Sequence, residues 1–175
     1  MNRILQNRAR EHGAALVEMA IVLIIFLALV FAIIEFSLLI FNYSRVIESA
    51  RAGARYAIVN NVETGCSAGV DSLSCPGGTA VNCSLSGSSP ILAEMQKSVE
   101  AGVIEADNVD ITYACATGAG FVDRNPPVMQ VTIKVTGVEH HFTVPGVIGL
   151  GDELTLTLPD QSTTRTSEDL HTYTP

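Results

Sequence analysis

Met19 to Phe41 is a run of 23 residues whose only polar side chains are Glu35 and Ser37. A helix that crosses a bilayer needs about 20 apolar residues, whereas the core of a secretory signal is roughly 7–15 long. The run is therefore read as a spanning helix, with the lipid bilayer as its first partner. Glu18 stands immediately before it, after a polar N-terminus that carries Arg3, Arg8, Arg10 and His12. A carboxylate at that depth is costly and needs a partner. The plainer alternative is an interfacial residue reaching to headgroups. Glu35 lies 17 residues further on, about 25 Å along a helix axis, and so near the opposite interface. It is either a solvated end of the span or part of a subunit contact.

The helical pattern does not stop at the membrane surface. Tyr43, Val46, Ile47, Ala50, Ala54, Ala57 and Ile58 continue at helical spacing, with Arg45, Glu48, Arg51 and Arg55 on other faces. One continuous helix is expected from near Ala14 to Asn60-Asn61, roughly 70 Å long. The small residues Ala50, Gly53, Ala54 and Ala57 either admit another helix closely or, more commonly, seat the domain's own sheet.

The rest of the chain is enough for one small domain. Residues 62–88, rich in Gly and Ser, read as a loop holding Cys66, Cys75 and Cys83. Ser89-Pro90 then offers an N-cap and a proline at the first helical position. Ile91, Leu92, Met95, Val99 and Val103 outline a short amphipathic helix, with Gly102 near its end. Alternation marks strands at Val109-Ile111-Tyr113 and Val131-Ile133-Val135, with shorter runs at Phe142-Val144 and Leu154-Leu156-Leu158. The expected fold class is α+β. A long N-terminal membrane-spanning helix continues into a small domain with one short helix and an antiparallel sheet of three or four strands. The expected divisions are a leader (1–13), the span (14–41), its amphipathic extension (42–61), the domain (62–159) and a polar, mobile tail (160–175).

Orientation rests on the cysteines. Three arginines precede the span and Arg45, Arg51 and Arg55 follow it, so the basic count is balanced. Cys66, Cys75, Cys83 and Cys115 all lie beyond the span, which suggests disulfides in an oxidising compartment. Their spacing is not that of a metal site, and three pairings are open. The N-terminus is accordingly placed in the cytoplasm and the domain outside.

The net charge of −8 and the lack of a basic patch past the helix exclude a nucleic-acid partner. No nucleophile elbow, phosphate loop or zinc-protease helix is present, so neither an enzyme nor a cofactor is expected. His140-His141 are adjacent and face opposite sides of a strand, which argues against a metal or catalytic role. Asn42-Tyr43-Ser44 and Asn82-Cys83-Ser84 fit the glycosylation pattern, which is common by chance.

Three stretches together resemble a known family. Gly13-Ala14-Ala15-Leu16-Val17-Glu18 is similar to the processing site of type IV pilin-like proteins. Ile33-Ile34-Glu35-Phe36 resembles the end of the span in TadE-like pseudopilins of the tight-adherence (Flp pilus) system. Ser49 to Ala57 resembles their Ala-Arg-Glu-Gly-Ala-Arg-Tyr motif, with Ala52 where Glu is usual. The resemblance implies cleavage by a prepilin peptidase between Gly13 and Ala14, and assembly through Glu18, Glu35, Arg51, Gly53 and Arg55. It implies as partners other pilin and pseudopilin subunits, met through the N-terminal helix, and the inner-membrane pilus assembly machinery. The expected product is a minor pilin or pseudopilin that enters or primes a pilus for adhesion and biofilm formation. The alternative is an uncleaved single-pass membrane protein of the bacterial inner membrane with an outer binding or sensor domain.

Overall fold

The computed structural model describes residues 2–60, 62, 66, 80–100, 102–116, 128–142 and 154–167. They form two α-helices, a short 3-10 helix at Ala106–Asn108 and six strands. The chain divides into two compact units, one of Met1–Ile40 with Phe142–Leu154, the other of Phe41–His141 with Thr155–Pro175.

Helix α1 runs Asn2–Val59, 58 residues without a break. It starts well before the expected Ala14, because Arg, Leu, Gln, Ala and Glu in the leader are good helix formers and no proline interrupts them. It ends as expected at Asn60, whose side-chain amide donates to the Tyr56 carbonyl at 2.9 Å and satisfies one of the last turn's free acceptors. Residues 13–59 are long and apolar enough to cross a membrane.

Helix α2, Pro90–Gln96, starts where Ser89-Pro90 predicted. The Ser89 hydroxyl accepts from the Leu92 amide at 3.5 Å. Ser89→Ala should lower stability by about 1 kcal/mol. For a domain of 60–100 residues that is roughly 4–8 °C in Tm, readable by thermal unfolding of the whole chain in detergent. An unchanged Tm would remove the cap from the account. The helix is shorter than the apolar spacing suggested. It closes at Lys97, whose backbone N–H donates to the Glu94 carbonyl at 3.3 Å, and Gln96 donates its side-chain amide to the Ile104 carbonyl.

The main sheet is antiparallel throughout, in the order β1 (Val81–Ser84), β2 (Val109–Cys115), β3 (Met129–Val135) and β6 (Gln161–Ser167). Strands β2 (Val109–Cys115) and β3 (Met129–Val135) fall where the alternation placed them. Val109, Ile111 and Tyr113 are buried opposite Val135, Ile133 and Val131, while Asp110, Thr112 and Lys134 point away from the core. Two strands lie outside the expected set. β1 (Val81–Ser84) sits inside the segment read as loop. β6 (Gln161–Ser167) sits inside the segment read as a mobile tail. It pairs with all of β3, and Thr164 and Thr132 share a hydroxyl hydrogen bond of 2.9 Å. Lys134 and Asp160 form an ion pair of 3.0 Å beside it.

A separate two-stranded ribbon joins β4 (Glu139–His141) to β5 (Thr155–Thr157). β4 lies just before the expected Phe142-Val144 strand, and Val144 is outside the described residues. In the Leu154–Leu158 run only Leu158 is buried, so that alternation was not a core face. Cys66 and Cys83 form a disulfide that ties the chain beyond α1 to β1. Cys115 is also disulfide-bonded, and Cys75 lies outside the described residues.

Candidate functional site: the N-terminal helix

The span is the most exposed apolar surface of the molecule. Between Leu16 and Phe41, eighteen large apolar side chains are solvent-exposed in the single chain. Burying each is worth about 1.5–3 kcal/mol. Their sum exceeds the roughly 5–15 kcal/mol by which a typical domain is stable. This face must therefore be covered by lipid or by other chains. Ser37, the one hydroxyl of the run, donates to the Ile33 carbonyl at 2.8 Å and so brings no unsatisfied group into the apolar segment.

The two carboxylates of the segment are placed differently. Glu18 is exposed, one turn after Gly13 and among the exposed Leu16, Val17 and Met19. It is accessible to a group from outside the chain. Glu35 is 6% exposed, the one buried position between residues 13 and 41. Glu35 is thus covered by its own chain, neither a solvated end nor an open contact surface in the monomer.

Gly13 lies inside α1, and nothing comes within 4 Å of where its β-carbon would be. Glycine costs an interior helical position about 0.8–1.0 kcal/mol relative to alanine. The backbone at Gly13-Ala14 is therefore the cheapest place in this stretch to unwind.

Beyond the span, the helix has two faces. Val46, Ala50, Gly53, Ala54 and Ala57 are buried. At Gly53 the closest approach is recorded directly: an added β-carbon would lie 2.6 Å from Met95 Cγ and 3.0 Å from Ile133 Cδ1. The small-residue face therefore seats α2 and β3 of the same chain. Arg51 and Arg55 lie on the exposed face, where Arg51 meets Glu48 at 3.6 Å, a solvent-screened pair of little energetic weight. The structure thus separates Gly53 from the two arginines that flank it in sequence.

Three residues directly after the span form a collar that sequence reasoning did not single out. The Asn42 amide nitrogen is 3.1 Å from His140 Nδ1 on β4, and the amide N–H donates. Tyr43 Oη accepts from the Gln161 amide of β6 at 2.9 Å. Arg45 donates to the Ser98 carbonyl after α2 and stacks over the Phe41 ring at 5.2 Å. Successive positions of one helix turn thus bind three separate elements. Their only sequence signal is a cluster of polar side chains at the end of an apolar run. His140 is buried and His141 exposed, as alternation requires. Asn42, half-buried and engaged, is a poor glycan acceptor. Asn82 is exposed, accepts from the Thr112 hydroxyl at 2.7 Å, and is followed by the disulfide-bonded Cys83.

The described residues include no group of three or more His, Cys, Asp or Glu placed to hold a metal ion. What the helix offers is an exposed apolar cylinder, an exposed carboxylate near its start, and a glycine before it. Residues 13–55 match the profile of the TadE-like protein family. No curated protein and no solved structure matches the chain.

Proposed function

We propose that this TadE-like chain of the tight-adherence (Flp) pilus system works as a minor pilin or pseudopilin. A prepilin peptidase cuts between Gly13 and Ala14, and the span then packs among other pilin helices in the inner membrane. The observation that carries the reading is the exposed Glu18 one turn beyond Gly13, on a helix whose apolar surface is otherwise uncovered. Cleavage creates an α-amino group on Ala14. Helices stacked side by side with an axial stagger bring that amine against a neighbour's Glu18. Each charge neutralises the other where solvent cannot. A neighbour in the wrong register leaves both charges uncompensated, so the pair sets stagger more than it adds affinity. Loss of the leader removes three arginines and Glu11, and the net charge moves from −8 to −10.

Size supports a minor role. A major pilin of this type needs little beyond its helix, whereas here a complete four-stranded sheet follows it. The domain is placed outside the cytoplasm, where the Cys66–Cys83 bond can form. There it primes, caps or presents the filament for adhesion. Co-expression with the cognate prepilin peptidase followed by N-terminal sequencing tests the reading. The expected mature chain begins at Ala14. An intact Met1, or a start at any other residue, overturns the processing step.

A further inference from the structure

We infer that Arg45 is a clamp for the phosphate of a phospholipid headgroup, and that it fixes the depth of the span at its C-terminal end. Arg45 stands four positions beyond Phe41, the last residue of the apolar run, about 6 Å further along the helix axis. A bilayer is about 40–45 Å thick around a hydrocarbon core of about 30 Å, so each headgroup layer is roughly 5–8 Å deep. As a helix, Met19–Phe41 measures about 35 Å, enough to set Phe41 at the edge of that core. Arg45 therefore stands in the headgroup layer. Arg51 and Arg55 follow Phe41 by ten and fourteen residues, which places them about 15 and 21 Å out and clear of the layer.

The side chain is held for this task. Its guanidinium reaches back over the Phe41 ring, 5.2 Å from the centroid, in the N-terminal lean that helical side chains take. Both residues are exposed in the single chain, so lipid can reach them. Nε donates to the Ser98 carbonyl. That bond uses one of the five N–H donors of an arginine. The donors on the two Nη atoms remain, in the planar fork that matches the oxygens of a phosphate. Among the described residues Arg45 enters no ion pair: Glu48, one turn further out, meets Arg51 at 3.6 Å, and Lys97, next to Ser98, is paired with Glu94. Arg45 is thus the uncompensated cation where the span ends. A guanidinium already fixed by a ring and a carbonyl loses little further freedom on binding, which favours the complex. The inference needs an inserted span, but neither cleavage at Gly13 nor a pilus.

Solid-state NMR tests the contact. The full-length chain, isotope-labelled at every arginine Cζ, is placed in phosphatidylcholine vesicles, and dephasing of the Cζ signals by lipid phosphorus is recorded. The difference between the parent and Arg45→Lys isolates Arg45, because the other arginines cancel. That signal is expected to lose most of its intensity to phosphorus. The matching difference for Arg51→Lys should keep its intensity. Arg45→Gln supplies the same subtraction should Arg45→Lys misfold. An Arg45 signal without dephasing overturns the inference. Equal dephasing of Arg51 also overturns it, because that is general attraction to the surface and not a site at one depth. In maltoside micelles, which contain no phosphorus, with inorganic phosphate added, the Arg45 signal should stay intact. Dephasing there would assign the fork to a soluble anion and overturn the lipid clamp.

Discussion

Gly53→Val is expected to lower the stability of the C-terminal domain by about 3 kcal/mol or more, and Gly53→Ala by roughly 1–2 kcal/mol. In an exposed helix interior, glycine to alanine is a gain of about 0.5–1 kcal/mol, because glycine has more backbone freedom to lose. Here the sign reverses. The new β-carbon would stand 2.6 Å from Met95 Cγ, 2.7 Å from Met95 Sδ and 3.0 Å from Ile133 Cδ1. Met95 and Ile133 are themselves fully buried, so any retreat has to be taken up within the core. Overpacking of this kind typically costs 1–3 kcal/mol, occasionally more. Valine adds two further carbons at the same point and stiffens χ1. Thermal unfolding of the full chain in detergent measures the loss. Met95→Ala in the Gly53→Ala background should recover part of it, so that the double change costs less than the sum of the singles. A Gly53→Ala chain more stable than the parent would show that α1 does not close on the sheet at this residue.

The contrast between Gly53 and its neighbours explains what the sequence disclosed and what it withheld. The span was plain because bilayer thickness imposes a length on an unbroken apolar run, and Met19–Phe41 meets it. β2 and β3 were plain because each has one face in the core and one in water, which writes a period of two into Val109–Tyr113 and Val131–Val135. β6 has no such signal. Gln161–Ser167 contains no apolar residue, and its place comes from a backbone ladder along β3 and from threonine's β-branched fit to a pleated surface. β1 is four residues long, with only Val81 and Cys83 half-buried, too short for a period to show among the surrounding glycines and serines. The collar was hidden for another reason. Its hydrogen bonds join positions 53, 98 and 118 residues apart, and no local pattern encodes a pairing at that range. Glu18 and Glu35 looked alike in sequence, as isolated carboxylates at the two ends of an apolar segment. Only the fold shows one open to neighbours and the other enclosed.

That difference sets the expectation for Glu18→Ala. Removing an exposed side chain from a helix of good formers leaves folding intact, and alanine favours the helix further. Insertion and cleavage before Ala14 should therefore survive. Assembly should not. On the proposed reading, the Ala14 amine and a neighbour's Glu18 compensate each other in an apolar setting. In the variant the amine arrives without its partner. A charge at the centre of a span costs about 2.5–3.5 kcal/mol on insertion scales, so at the start of the run the loss in the equilibrium that seats the subunit is at most roughly 100-fold. Co-purification of the processed chain with its pilus, compared with the amount in the inner membrane, reads that ratio. Glu18→Gln separates charge from size, because it keeps the shape and one acceptor but cannot neutralise the amine, and it should assemble nearly as poorly as the alanine variant. Glu35→Gln supplies the opposite control. Its carboxyl is enclosed by its own chain, so any effect should appear in unfolding of the isolated protein before it appears in the pilus. Unchanged incorporation of Glu18→Ala would mean that apolar packing alone sets the stagger, and the pairing of amine and carboxylate would have to be abandoned.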